Sequence, residues 1–127
     1  MIGLVVVSHS RKAAEGICEL AAQMGGDAPL KAAGGDGEAG IGTDAGRIGE
    51  AIAAADEGEG AVVLVDLGSA VMNAELAIEM TDADAVIADA PILEGALNAA
   101  VEASNEKATV DSVVEKAEEA QSYRKLS

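Results

Sequence analysis

One imidazole, one carboxylate and a run of glycines are the parts of this sequence that could do chemistry. His9, the chain's single histidine, sits between Ser8 and Ser10 in "VVVSHSRKAAEG", where an apolar run gives way to a polar one. A neutral imidazole is a good nucleophile near physiological pH. A carboxylate bonded to one ring N–H leaves the lone pair of the other nitrogen free. Asp66, in "AVVLVDLG", closes the other strongly apolar run and could supply that carboxylate. A helix beginning just after His9 would add free backbone N–H groups and a positive dipole end, both suited to a phosphoryl group. On the residues alone two readings stand: a reactive histidine oriented by Asp66, or a histidine that turns the chain beside an aspartate that caps a helix.

The glycine-rich segment "GGDGEAGIGTDAGRIG" contains a literal G-x-G-x-x-G at Gly35, Gly37 and Gly40. A dinucleotide site wants that motif directly after the first strand and opening a helix. Here it follows the second strand, and Asp36 and Glu38 would repel a pyrophosphate. The segment reads instead as a compact loop over the site, with Gly40, Gly42 and Thr43 offering backbone and hydroxyl donors, or as a plain flexible loop.

Other chemistries lack their parts. There is no G-x-x-x-x-G-K-[ST] for a phosphate-binding loop and no G-x-S-x-G elbow. One histidine and one cysteine cannot complete the tetrahedral set of a structural zinc site. A histidine phosphatase would need further histidines and arginines, and a receiver domain would need acidic residues where His9 stands. A solitary reactive histidine without a nucleotide motif suits the acceptance and onward transfer of a phosphoryl group.

The elements that must position these residues follow from periodicity. Ile2–Val7 and residues 61–68 are short, continuous apolar runs rich in β-branched residues, as strands covered on both faces are. A weaker strand is expected around Ala28–Ala33, and "ADAVIADAP" is expected to hold a fourth. Ala13, Ile17, Leu20 and Met24 recur at helical spacing after a cap at Ser8 or Ser10, and Gly25-Gly26 ends that helix. Further helices are expected from about Thr43 to Gly58, Ala70 to Met80, near Leu93 onward, and Thr109 to about Gln121. Strands alternating with helices at this spacing imply a doubly wound, mainly parallel α/β sheet of four or five strands with right-handed crossovers. Ligands in such sheets bind beyond the carboxyl ends of the strands, where strand order reverses. His9 and Asp66 both fall at such ends.

Composition narrows the partners. The 127 residues read as a single domain, 1–127, with an aliphatic core: there is no Phe or Trp, and Tyr123 is the only aromatic. Without aromatic platforms or basic clusters, and with 23 acidic against 8 basic residues, nucleic acid is an unsuitable ligand. A net charge of −15 on an alanine- and glycine-rich chain points to a salt-rich, halophilic cytoplasm, where ions screen self-repulsion, or to an acidic protein of an ordinary cell. Cys18 is alone, which fits a reducing compartment. The N-terminal apolar stretch is too short for a membrane span and lacks the basic start of a signal peptide, so a cytoplasmic protein without membrane contact is expected.

The stretches "VVVSHSRKAAEGICELAAQM", "IGTDAGRIGEAI", "VLVDLGSAVMNAELAIE" and "DAPILEGALNAAV" resemble one family over Ile2 to about Ala103. It is the family of phosphotransferase subunits (DhaM) of phosphoenolpyruvate-dependent dihydroxyacetone kinase, related to the mannose-type enzyme IIA domains of the sugar phosphotransferase system. The resemblance implies that His9 is transiently phosphorylated by the phosphocarrier HPr. It further implies that the phosphoryl group passes to ADP held on a second subunit (DhaL), whose ATP then phosphorylates dihydroxyacetone on a third (DhaK). ADP, ATP and magnesium would thus belong to the partner, with no cofactor on this chain beyond the covalent phosphohistidine. The family also implies a homodimer.

Within the family pattern Asp66 matches the aspartate that bonds the histidine. Ser8, Ser10, Gly42, Thr43, Asp44, Gly68 and Ser69 match positions around the phosphoryl group or partner. Some family members carry HPr-like and enzyme I-like domains behind this one. A chain of 127 residues leaves no room for them, so a separate donor is expected. Arg11, Lys12 and Arg47 could offset the acidic surface beside a phosphohistidine, or be solvated side chains on helix faces. The alternatives are a mannose-type IIA component serving a sugar permease and a non-catalytic binding module.

Overall fold

The two strongly apolar runs become the inner strands of one sheet. The computed structural model describes residues 1–38 and 40–126, so Ala39 of the glycine segment and Ser127 of the expected 1–127 domain lie outside the described residues. The chain runs β1 (Gly3–Ser8), α1 (Arg11–Met24), β2 (Leu30–Gly34), α2 (Ala45–Ala55), β3 (Ala61–Val65), α3 (Ser69–Glu79), β4 (Ala85–Ile87), α4 (Ile92–Ala103) and α5 (Val110–Glu119), closing on a 3-10 turn at Ala120–Ser122. The sheet order is β2-β1-β3-β4 and every pairing is parallel. This is the doubly wound α/β sheet expected, with four strands.

Side chains alternate across the sheet because successive residues of a strand point to opposite faces. Leu4, Val6, Val62 and Leu64 pack into a core closed by α1, α4 and α5. Val5, Val7 and Val63 face a second core made with α2 and α3. Burial on both faces explains why these strands read as unbroken apolar runs.

The helices meet the sheet mainly through alanine. In α1 the buried positions are Ala14 and Ala21, with Ile17 and Cys18 partly buried beside them. Ala13, Leu20 and Met24, expected on the inner face, point outward, Leu20 at 51% and Met24 at 58% exposure. The approach is closest where α1 ends: a Cβ on Gly25 would lie 2.1 Å from the Ala100 carbonyl oxygen, so the last turn packs through Ala21 while Ile17 fits one turn earlier. The fourth strand is only three residues long, because Asp82, Asp84 and Asp89 flank its apolar centre. The second helix starts at Ala45 rather than Thr43, behind Asp44, whose carboxylate accepts from the Arg47 N–H at 2.9 Å.

Strand order is what places the site. From β1 the chain winds one way to β2 and the other way to β3, so the carboxyl ends of β1 and β3 flank the reversal point. Val7 pairs with Val65, which sets His9 and Asp66 side by side just past the sheet.

Candidate active site

The Ser8-His9-Ser10 turn is fixed from every side by hydrogen bonds. Its main chain is tied first: the His9 N–H donates to Asp66 Oδ2 at 3.0 Å, and the His9 carbonyl accepts from the Gly42 N–H at 2.9 Å. The Ser8 carbonyl accepts from the Gly35 N–H at 3.2 Å. Ser8, 2% exposed, donates its hydroxyl to Asp66 Oδ2 at 3.0 Å and accepts from the Ser10 N–H at 3.1 Å. Ser10 caps α1, accepting from the Ala13 N–H at 3.2 Å. Of the two serines proposed as caps, Ser10 is the one used.

The ring is then oriented by two side chains. Nδ1 of His9 lies 3.0 Å from Asp66 Oδ1. A carboxylate can only accept, so Nδ1 carries the proton and Nε2 the lone pair. Ser69 Oγ lies 3.0 Å from Nε2 and therefore donates to it. The side chains of His9 and Asp66 are 23% and 20% exposed, open enough to be reached yet shielded enough to interact strongly.

Asp66 is in its charged form at neutral pH. Burial works to raise its pKa, but the hydrogen bonds from the His9 backbone and ring N–H groups and from the Ser8 hydroxyl together outweigh burial. The carboxyl is held below its ordinary value of 3.8.

The remaining expected residues form the rim. Gly68 precedes α3 and Ser69 is its first residue, and no side chain caps this helix. In place of a side-chain cap, the Ala70 N–H donates to the Leu67 carbonyl at 2.9 Å and the Val71 N–H to the Gly68 carbonyl at 3.0 Å. Thr43 Oγ1 accepts from Asn73 Nδ2 at 2.7 Å, which leaves the threonine's own O–H to donate elsewhere. Gly40 and Gly42, expected as donors to a phosphoryl group, instead spend their N–H groups on Asp36 Oδ1, at 3.0 Å, and on the His9 carbonyl. With φ of +147°, Gly42 holds a conformation that favours glycine, and its contribution is to the position of His9.

Arg11 is exposed and pairs with Glu15 at 3.7 Å. Arg47 donates through Nη2 to the Gly34 carbonyl at 3.0 Å, under the glycine segment rather than toward the ring.

Two residues of the site were not singled out by sequence. Asn73 lies one helical turn after Ser69 in "GSAVMNAE", a spacing that puts both on one side of α3. Asp36 was considered only for its charge, but its carboxylate gathers the N–H groups of Glu38 and Gly40. Among the described residues no group of three or more His, Cys, Asp or Glu is placed to hold a metal ion. No described helix is long and apolar enough to cross a membrane.

The family model of the PTS system fructose IIA component matches residues 3–114. A Listeria innocua protein, phosphoryl donor subunit DhaM of a PEP-dependent dihydroxyacetone kinase 2, is 40% identical over 107 residues, covering 80% of this chain and 86% of that protein. The corresponding DhaM of Providencia stuartii is 40% identical over 128 residues, and there the chain spans 94% of its own length but 27% of the relative's. DhaM of Escherichia coli K12 is 37% identical, with 90% of this chain and 26% of that protein covered. A crystal structure of a protein of unknown function superposes with a TM-score of 0.81 at 31% identity, covering 94% of this chain and 95% of the other.

Proposed function

The chain belongs to the family of PTS fructose IIA components, with the DhaM phosphoryl donor subunits among its relatives, and from that premise we propose that it carries a phosphoryl group on His9. The observation that carries this reading is the pairing of His9 Nδ1 with Asp66 Oδ1 at 3.0 Å, which leaves Nε2 as the nucleophile beside the Ser69 hydroxyl.

In the proposed step Nε2 attacks the phosphorus of a phosphohistidine on the donor, HPr. The Nε2–P bond forms as the donor's N–P bond breaks, and the donor imidazole leaves with the electron pair. The His9 ring then carries a phosphoryl group on Nε2 and a proton on Nδ1, and the Asp66 carboxylate stabilises the positive charge so developed. The Ser69 hydroxyl turns from Nε2 to a phosphoryl oxygen, with the Thr43 hydroxyl as a further donor. Onward transfer breaks the Nε2–P bond and forms a P–O bond to the terminal phosphate of ADP on the DhaL subunit. The resulting ATP, with magnesium, serves dihydroxyacetone on DhaK. The dimer implied by the family belongs to the same proposal. The description of the matching family, a fructose IIA component, favours a second reading in which the acceptor is a sugar permease.

The test is incubation with labelled phosphoenolpyruvate, enzyme I and HPr. The wild type is expected to take an acid-labile, alkali-stable label, and His9→Ala none. Label retained by the variant overturns the reading. Passage of that label to ADP with DhaL present, and not to a permease component, decides between the two acceptors.

A further inference from the structure

The glycine segment follows β2 rather than β1, and its hydrogen bonds show which part of the chain it holds. The described residues of this segment, 34–38 and 40–42, include two that bond the Ser8-His9-Ser10 turn. They place the Gly35 N–H on the Ser8 carbonyl at 3.2 Å and the Gly42 N–H on the His9 carbonyl at 2.9 Å. The peptide groups on both sides of the reactive histidine are therefore clamped by this segment.

The clamp is itself shaped by one side chain. Asp36 Oδ1 accepts from the Glu38 N–H at 2.8 Å and the Gly40 N–H at 3.0 Å, and the Asp36 N–H donates to the Gly40 carbonyl at 3.3 Å. A Cβ on Gly40 would lie 2.5 Å from Asp36 Oδ2, and one on Gly42 would lie 3.3 Å from the Asp36 Cβ. The Asp36 side chain is thus packed against both glycines, its carboxylate against Gly40 and its Cβ against Gly42. Arg47 anchors the start of the segment through the Gly34 carbonyl, and its charge acts on Asp36.

We propose that Asp36 is a positioning residue for phosphoryl transfer: its carboxylate folds the glycine segment so that the Gly42 N–H holds the His9 main chain, and with it Nε2, in line for attack. Asp36 touches no reacting atom and acts through Gly42. A small misplacement of a nucleophile lowers the rate of the bound complex without weakening the encounter that forms it.

The proposal rests on the carrier reading for its consequence but not for its geometry, and the experiment separates the two. Wild type, Asp36→Ala and Asp36→Asn are compared by amide hydrogen exchange at Gly42, by the ring nitrogen signals of His9 and by the kinetics of labelling from phosphorylated HPr. His9 is the only histidine in the chain, so its signals need no assignment by mutation. In Asp36→Ala the Gly42 amide is expected to exchange at least about tenfold faster. The maximal labelling rate is expected to fall about tenfold, with KM for HPr within about twofold of wild type. Asp36→Asn keeps an oxygen that accepts both N–H groups and is expected to restore most of the rate. If Asp36→Ala does not fold, Asp36→Ser is judged by the same criteria.

A folded alanine or serine variant with wild-type exchange at Gly42, or with a wild-type maximal rate while the wild type is labelled, overturns the proposal. A rate loss that appears only in KM overturns it as well. A wild type that takes no label overturns the carrier reading instead, and the Gly42 exchange and His9 signals still decide whether Asp36 sets the position of the histidine.

Discussion

The Ser69 hydroxyl lies 3.0 Å from Nε2 of His9, while the Asp66 carboxylate holds Nδ1 at the same distance. The nitrogen that attacks in the proposed transfer is therefore covered at rest by a donor that can turn away. Once Nε2 carries a phosphoryl group, that hydroxyl is within reach of an anionic oxygen, a stronger acceptor than the ring lone pair. Ser69→Ala is accordingly expected to accept label and to lose it about tenfold faster, since a hydrogen bond to a charged group is worth roughly 1.5–3 kcal/mol. The check is the half-life of labelled protein after removal of HPr. An unchanged half-life removes Ser69 from the phosphorylated state.

Replacing Asp66 by asparagine is expected to be worse than replacing it by alanine. Oδ2 of Asp66 accepts from the His9 main-chain N–H, so an asparagine must keep its oxygen there and turn its NH2 toward Nδ1. An NH2 group only donates, so Nδ1 would need its lone pair and the ring proton would move to Nε2. The attacking nitrogen is then blocked. Asp66→Ala loses a charged hydrogen bond of about 1.5–3 kcal/mol, a rate loss of roughly ten- to a hundredfold, but leaves the tautomers free to exchange. Labelling rates and the nitrogen spectrum of His9 check this, and a faster Asp66→Asn than Asp66→Ala refutes the tautomer argument.

The same carboxylate ties stability to acid pH. Burial raises the Asp66 pKa, but the bonds from His9 and Ser8 prevail and the folded value lies below the ordinary 3.8. A carboxyl with a depressed folded pKa contributes stability that is present above its unfolded pKa and is lost as pH falls through the folded one. Wild type is therefore expected to exceed Asp66→Ala in unfolding free energy at neutral pH by about 1–3 kcal/mol. That difference should shrink once pH drops below 3.8. Denaturant unfolding of both proteins across that range measures it, and a constant difference would show that Asp66 contributes by packing alone.

At the alkaline end the relevant group is Cys18, whose thiol pKa is raised from 9.0 to about 11, by burial first and by Glu15 second. Its folded pKa exceeds its unfolded one, so the stability it contributes is complete below pH 9 and is lost as pH rises toward 11. Across that window wild type should lose up to about 2–3 kcal/mol that Cys18→Ala does not lose. At neutral pH the protonated thiol should react slowly with iodoacetamide in the native state and readily after unfolding. Equal alkaline slopes for the two proteins, or rapid native alkylation, would contradict the assignment.

How far the sequence speaks depends on which physical signal each element carries. β1 and β3 are legible because burial on two faces writes an unbroken apolar run, and the meeting of His9 with Asp66 is legible because both follow the ends of those runs. The inner face of α1 was misread for the opposite reason. Leu20 and Met24 carry the stronger apolar signal, yet the face that packs is Ala14, Ile17, Cys18 and Ala21, ending at the tight approach of Gly25 to Ala100. Asn73 and Asp36 were missed because their roles are set by contacts with Thr43 and with the backbone of Gly40, which no local pattern encodes. Gly42 was noticed for its N–H, but that group turned inward to His9 rather than outward to a ligand.

Glycine placement yields the last prediction, a pair of substitutions with opposite signs. Gly34 is the final residue of β2 and pairs with Ser8, one residue before the histidine. A Cβ there would lie 2.6 Å from Arg11 Cα and 2.7 Å from the Ser10 carbonyl oxygen, both main-chain atoms that cannot swing aside. Gly34→Ala is expected to cost about 1–3 kcal/mol of stability, the usual range for overpacking. Because the atoms that must move belong to the Ser8-His9-Ser10 turn and the start of α1, labelling should also slow by more than the unfolded fraction explains. Gly16, inside α1 and exposed, has no atom within 4 Å of the added Cβ, so Gly16→Ala should stabilise by about 0.5–1 kcal/mol through helix propensity. It should also leave labelling unchanged. Denaturant unfolding and labelling rates of the two variants test both signs. A Gly34→Ala protein as stable and as fast as wild type would mean that the end of β2 does not constrain the turn that carries His9.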